Sequence, residues 1–126
     1  LILKAEPNLA HKLLAKLEAY GYIKAIITQN IDSLHTKAGA KNVLELHGNS
    51  NYLVCLACNK KYYIASPKII YDKDNIPHCP LCGSILKPDV VFFGESLPYE
   101  LLQESIKLIE DADFLLVIGT SLVVAP

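Results

Sequence analysis

The sequence predicts an α/β fold, a parallel sheet with helices on its faces and a small cysteine-bearing module inserted between two of its strands. Three observations carry this prediction. Four short apolar runs each stop at small or polar residues, helical stretches with one apolar stripe accompany them, and the texture of the chain changes abruptly between residues 49 and 89.

Leu9, Leu13, Leu14 and Leu17 recur at helical spacing after Pro7 and Asn8, which suit a first turn, and Gly21 follows where a left-handed cap is wanted. A helix near 8–20 is expected. Ala25 to Thr28 is a short apolar, β-branched run that gives way to Gln29, Asn30 and Asp32, as at the carboxyl end of a buried strand. Val43 to Leu46 repeats the device and ends in His47 and Gly48; Val90 to Phe93 ends in Gly94 and Glu95; Phe114 to Ile118 ends in Gly119, Thr120 and Ser121. Between the last two, Pro98 opens a helix near 98–110 whose inward stripe is Leu102, Ile106 and Ile109. Strand, helix and strand in that order predict a right-handed crossover. Ligands of such sheets lie beyond the carboxyl ends of the strands, so Gln29 to Asp32, His47, and Gly119 to Ser121 are expected to border one crevice.

The chain has 126 residues, 52% of them hydrophobic and 20% charged, which suits one compact domain or two small ones and excludes disorder as its main state. Twelve Lys and Arg against thirteen Asp and Glu leave a net charge of -1, too little field to make nucleic acid or an anionic membrane the default partner. The apolar stretches Phe114 to Ile118 and Leu122 to Ala125 are interrupted and fall short of the roughly 18 residues a membrane span needs. No signal peptide is visible, and an intracellular, reducing, cytoplasmic setting is expected. The absence of Met predicts that the chain starts inside a longer protein.

Within residues 49–89, Cys55 and Cys58 form one C-x2-C pair, and Cys79 and Cys82 form another about twenty residues later, followed by Gly83. That is the spacing of a structural zinc site, in which two tight turns close a tetrahedron and leave no open position for substrate. Two disulfides, or a rubredoxin-like iron site, are the alternatives. His78 adjoins a ligand, but four thiolates already complete the shell, so a surface role is expected for it. A module this small would draw much of its folding energy from the metal.

The run from Thr28 to His35 admits two readings: a turn whose Asn and Asp cap the next short helix, or a binding site at a strand end. His47 is equally open, either a hydrogen-bonded structural residue or a base, its reference pKa near 6.5 being suited to proton transfer at neutral pH.

Taken together, TQNIDSLH (28–35), LELHG (44–48), the two cysteine pairs, KPDVVFFGE (87–95) and GTSL (119–122) resemble the sirtuins, the NAD-dependent protein-lysine deacylases, in the order and approximate spacing of that family. The resemblance implies a partial Rossmann-like, NAD-binding lobe over 1–48 and 90–126 and a zinc-ribbon module over 49–89. It implies that His47 is the general base, with Asn30 and Asp32 also in the catalytic set. Gln29, Asn30, Ile31 and Asp32 would line the nicotinamide and its ribose, Asp32 accepting from the carboxamide amine. Gly119, Thr120 and Ser121 would hold the adenosine side. The acyl-lysine peptide would lie along Val91, Phe93, Gly94 and Glu95 by strand addition, with the Val91 backbone on the modified lysine's amide and Phe93 as a tunnel wall. Since strand residues alternate, one of Phe92 and Phe93 should be core. The cofactors implied are NAD and one structural zinc ion, and the reaction is transfer of the acyl group from lysine to ADP-ribose with release of nicotinamide.

The family's glycine-rich phosphate-binding segment, with its following Asp-Phe-Arg loop, would lie upstream of Leu1, and the distal part of the adenine pocket after Pro126. Cofactor affinity and catalysis are therefore expected to be weak or missing in these 126 residues alone. Mono-ADP-ribosyl transfer would use the same cofactor cleavage. A non-catalytic zinc ribbon with Lys60, Lys61, Lys68, Lys73 and Lys87 as its contact face leaves the other motifs unexplained, and a dehydrogenase would want a G-x-G-x-x-G turn that this stretch lacks.

Overall fold

The computed structural model describes residues 4–121 and 123. Helix α1 (Leu9–Ala19) starts where Asn8 can cap it: the Asn8 side chain accepts from the His11 N–H, and the His11 ring pairs back with the Asn8 backbone. It ends at Tyr20, with Gly21 in the left-handed region at φ +80°. Strand β1 (Ile26–Thr28), the single-turn helix α2 (Leu34–Lys37) and strand β2 (Val43–Glu45) follow, and β1 and β2 pair in parallel with Ile27 opposite Leu44. Ala15, Ile26 and Ala40 form the buried centre of this unit, with Leu14, Ile23 and Val43 packed against it.

Strand β3 (Gly48–Cys55) leads into a second unit. It pairs antiparallel with β4 (Lys61–Tyr63) on one side and β7 (Leu86–Val90) on the other, while β5 (Ile70–Tyr71) and β6 (Pro77–His78) make a separate small hairpin. Its core is Leu53, Cys55, Ile69, Cys79 and Leu86, so two of the five buried residues are members of the cysteine quartet. Helix α3 (Tyr99–Glu110) follows β7.

The structure differs from the sequence expectation at two strands. The expected strand Val90–Phe93 is displaced: β7 ends at Val90, and residues 91–98 form turn and coil. The expected strand Phe114–Ile118 is not formed, and its five apolar side chains are all exposed. A strand needs a hydrogen-bonding neighbour, and among the described residues the parallel sheet consists of β1 and β2 alone, neither of which takes 114–118 as a partner. The helices register the same narrowness. Leu9, Leu13 and Leu17 of α1 stay exposed, and in α3 Ile106 and Ile109 do too, leaving Ser105 as the buried residue, its hydroxyl turned onto the Leu101 carbonyl. The alternation argument for Phe92 and Phe93 fails for a related reason: in a turn both rings point outward, and Phe93 is fully exposed. Leu122, the end of the GTSL match, and the stretch after Val123 lie outside the described residues.

Candidate functional site

His47 sits in the tight turn between β2 and β3, half-buried. Its Nδ1 lies 3.1 Å from the Gln29 carbonyl oxygen. A carbonyl only accepts, so Nδ1 carries a proton, and in the neutral ring the lone pair is on Nε2. The same turn is tied to the end of β1 by Leu46 N–H on the Thr28 carbonyl, and Ser50 donates to the Ile31 carbonyl through both its N–H and its hydroxyl. Gln29, Asn30, Ile31 and Asp32 are thereby strapped against residues 46–50.

Gly48 is needed here. It holds φ +80°, and a Cβ at this position would collide with the Asp89 backbone carbonyl. That close approach lets β7 run alongside, so that Val91 N–H bonds the His47 carbonyl at 2.9 Å. The structure thus brings together three of the stretches singled out in the sequence: 28–32, 46–50 and 90–91.

Asp32 also serves the plainer role open to it, accepting the Leu34 N–H through Oδ1 at 3.0 Å as α2 begins. Asn30 is exposed, with its N–H on the Thr28 hydroxyl. Ser33 takes a left-handed backbone, φ 59°, with its hydroxyl receiving the Asn51 side-chain amide. Glu45 was not singled out by motif reasoning. It is half-buried, burial pushes its carboxyl up, and the Asn49 amide bonds it at 2.7 Å. A polar residue on a strand beside an apolar one, Leu44, was the available signal. Gly119, Thr120 and Ser121 are exposed in coil, Gly119 at φ +69°.

Beyond Val91 the chain turns sharply. Lys87 Nζ donates to both carboxylate oxygens of Glu95 at 2.7 Å and to the Val90 carbonyl at 3.3 Å, and lies 4.8 Å from the centre of the Phe92 ring. Glu95 also accepts the Phe92 N–H. The Lys87 ammonium, then that N–H, hold its carboxyl below the usual glutamate value.

At the other end of β3 the four cysteine Sγ atoms lie within 4.8 Å of one another. A tetrahedron of about 2.3 Å zinc–sulfur bonds has edges of about 3.8 Å. Cys55 and Cys82 are 3.4 Å apart and Cys58 and Cys79 3.7 Å, and all four are free thiols. The closeness of the four sulfurs suits a cation. Burial would raise Cys79, but the Tyr62 hydroxyl at 3.3 Å and the N–H groups of Cys82 and Leu81 outweigh it and bring the thiol down to about 6. At Cys82 the Ser84 N–H pulls downward, but the Cys55 sulfur and burial prevail and push it up to about 12. Four thiolates so close cannot all ionise unaided, and a divalent ion would remove the conflict. His78 stands outside the quartet, bridging the Gly83 carbonyl and Asp72 through its two ring nitrogens. Cys55 and His47 stand at opposite ends of β3, eight residues apart, about 26 Å of extended chain at about 3.3 Å per residue, which sets the quartet apart from chemistry at His47.

A sequence model of the Sir2 family matches residues 1–126. The chain belongs to the Sir2 family. Among its relatives, an NAD-dependent protein deacylase of Thermococcus kodakarensis is 51% identical over 99% of this chain and 50% of the relative. An NAD-dependent protein deacetylase of Thermotoga maritima is 50% identical over 99% of this chain and 51% of the relative. Among solved structures, a Sir2 bound to acetylated peptide superposes with a TM-score of 0.87 at 47% identity, covering 99% of this chain and 52% of that one. A Sir2 homolog–NAD complex superposes with a TM-score of 0.89 at 42% identity, covering 99% and 48%. The chain therefore spans about half the length of the curated Sir2 relatives it matches. The α/β class read from the sequence is the fold of these Sir2 neighbours.

Proposed function

We propose that this chain carries the base, the nicotinamide-side wall and the peptide-binding edge of an NAD-dependent protein-lysine deacylase that moves the acyl group from lysine to ADP-ribose and releases nicotinamide. The observation that carries the reading is the fixed His47 imidazole, its Nδ1–H anchored on Gln29 and its Nε2 left as an acceptor beside residues 29–32. NAD would supply an electrophilic ribose carbon with a good leaving group. His47 Nε2 takes the proton from a ribose hydroxyl. Asp32 keeps Oδ2 for the carboxamide amine while Oδ1 holds α2. Asn30, Gln29 and Ile31 complete the nicotinamide side, and Gly119, Thr120 and Ser121 serve the adenosine side. The backbone of Val91 and the outward ring of Phe93, with Gly94 and Glu95, receive the acyl-lysine peptide. Two neighbours support the substrate class, a Sir2 bound to acetylated peptide and Sir2Tm bound to a propionylated peptide. The cysteine quartet holds one structural zinc, and its need for reduced thiols goes with a reducing, cytoplasmic setting.

The test mixes the full-length protein carrying these residues with an acetyl-lysine peptide and NAD and follows free nicotinamide together with loss of the acetyl group. Both are expected in equal amounts. His47→Ala is expected to lower turnover about 100- to 10,000-fold while sparing the fold, the usual worth of a general base. Acetyl loss without nicotinamide, or normal turnover in His47→Ala, refutes the reading.

A further inference from the structure

The loop that follows β7 is held by one side chain that none of the roles above uses. Lys87 lies in β7 opposite Val54, one residue from the pair Leu86–Cys55, so its backbone is fixed by the sheet in which Cys55 of the quartet lies. Its ammonium crosses eight residues to grip both oxygens of Glu95, while a third bond goes to the Val90 carbonyl. Glu95 in turn accepts the Phe92 N–H at 3.0 Å and donates its own N–H to the Phe92 carbonyl at 3.0 Å. The result is a closed ring of contacts around residues 87–95. Inside that ring the Val91 N–H is already spent on His47, and Gly94 makes the turn at φ +87°. Phe93, fully exposed at its tip, is the ring the brace leaves outside.

We propose that Lys87 is a positioning residue for the acyl-lysine peptide: by clamping Glu95 it holds residues 91–95 in one conformation, so that the Val91 backbone and the Phe93 ring meet the peptide preformed. The inference rests on the deacylase reading. A preformed loop spares the peptide the ordering cost of binding, so its loss falls on peptide affinity and spares the chemical step. The Lys87 side chain is 25% exposed and that of Glu95 44%, so the effect belongs at the lower end for a charge-assisted pair, about five- to ten-fold.

The experiment compares wild type, Lys87→Met and Lys87→Arg in the full-length, zinc-loaded protein, reading steady-state kinetics and the anisotropy of a labelled acetyl-lysine peptide. Lys87→Met is expected to raise peptide KM and Kd about five- to ten-fold while kcat and the KM for NAD stay within about two-fold, and Lys87→Arg to restore most of the loss. Lys87→Gln reads the same point if Lys87→Met does not fold, with zinc content and thermal midpoint as controls. Combining Lys87→Met with Glu95→Gln is expected to cost no more than the worse single change, since both break one clamp. Unchanged peptide KM in a folded Lys87 variant, or a fall in kcat with peptide KM untouched, overturns the proposal. A wild type that binds peptide but releases no nicotinamide overturns the deacylase reading alone; one that does not bind peptide overturns both.

Discussion

Removing the metal from the cysteine quartet should release the whole second unit, and the packing says by how much. Its core consists of Leu53, Ile69 and Leu86 together with the two ligands Cys55 and Cys79. The three aliphatic side chains supply about 1.5–3 kcal/mol each, roughly 5–9 kcal/mol together. A structural zinc contributes about 10–16 kcal/mol in small metal-folded domains. The ion is the larger contribution, and without it four thiols remain whose protonation is in conflict. Trypsin gives a direct reading, because Lys61 lies within β4, paired with the β3 backbone and bridged to Asp89. With zinc bound, cleavage after Lys61 should be slow. A chelator that strips the metal should accelerate it by orders of magnitude, and Cys79→Ser should do the same without chelator. Cleavage after Lys61 that stays slow once metal analysis shows the zinc gone would refute the reasoning, since the aliphatic core would then suffice.

Gly48→Ala should destabilise the chain by about 2–5 kcal/mol, the left-handed backbone and the collision with β7 adding together, as read by chemical denaturation; a loss under about 1 kcal/mol would show that β7 gives way freely. Glu95 should titrate below the model-peptide value of 4.5, so its contribution is present above 4.5 and lost as pH falls through the lower, folded value. Carboxyl NMR checks this, and Lys87→Met should move the midpoint back up. Burial, then the nearby His11 ring, lower His35, whose buried Nδ1 has no hydrogen-bond partner among the described residues. Its contribution is therefore complete above 6.5 and lost as pH falls. The thermal midpoint of wild type should drop more steeply on acidification through that range than that of His35→Gln, and equal slopes would contradict the assignment.

Local signals were readable where the chain itself satisfies them. Asn8 and Gly21 bracket α1 because the cap and the left-handed turn are made by adjacent residues. The C-x2-C spacing placed the quartet, since each pair sits on its own tight turn and the metal geometry fixes the rest. The polar ends of β1 and β2 marked the strand termini, and parallel pairing of Ile26–Thr28 with Val43–Glu45 set them side by side. The readings that failed needed a distant partner. Phe114 to Ile118 has the composition of a buried strand, but pattern alone does not supply a neighbour to pair with. Val91 to Phe93 looked like a strand because its residues are apolar, whereas Gly94 and the Lys87–Glu95 clamp bend it into a turn. The clamp joins residues eight apart through side chains, a relation that no backbone periodicity encodes.

The bare run from Phe114 to Ile118 has a practical consequence for handling the chain. Five consecutive aliphatic and aromatic residues, uncharged and without proline, are the ingredients of a cross-β stack, and every one of them faces solvent here. Asp111 and Asp113 stand just before the run as gatekeepers, and Gly119 just after it. Charge on those two aspartates is therefore expected to oppose stacking between neighbouring molecules, and Asp111→Asn with Asp113→Asn should lower the concentration at which this chain aggregates.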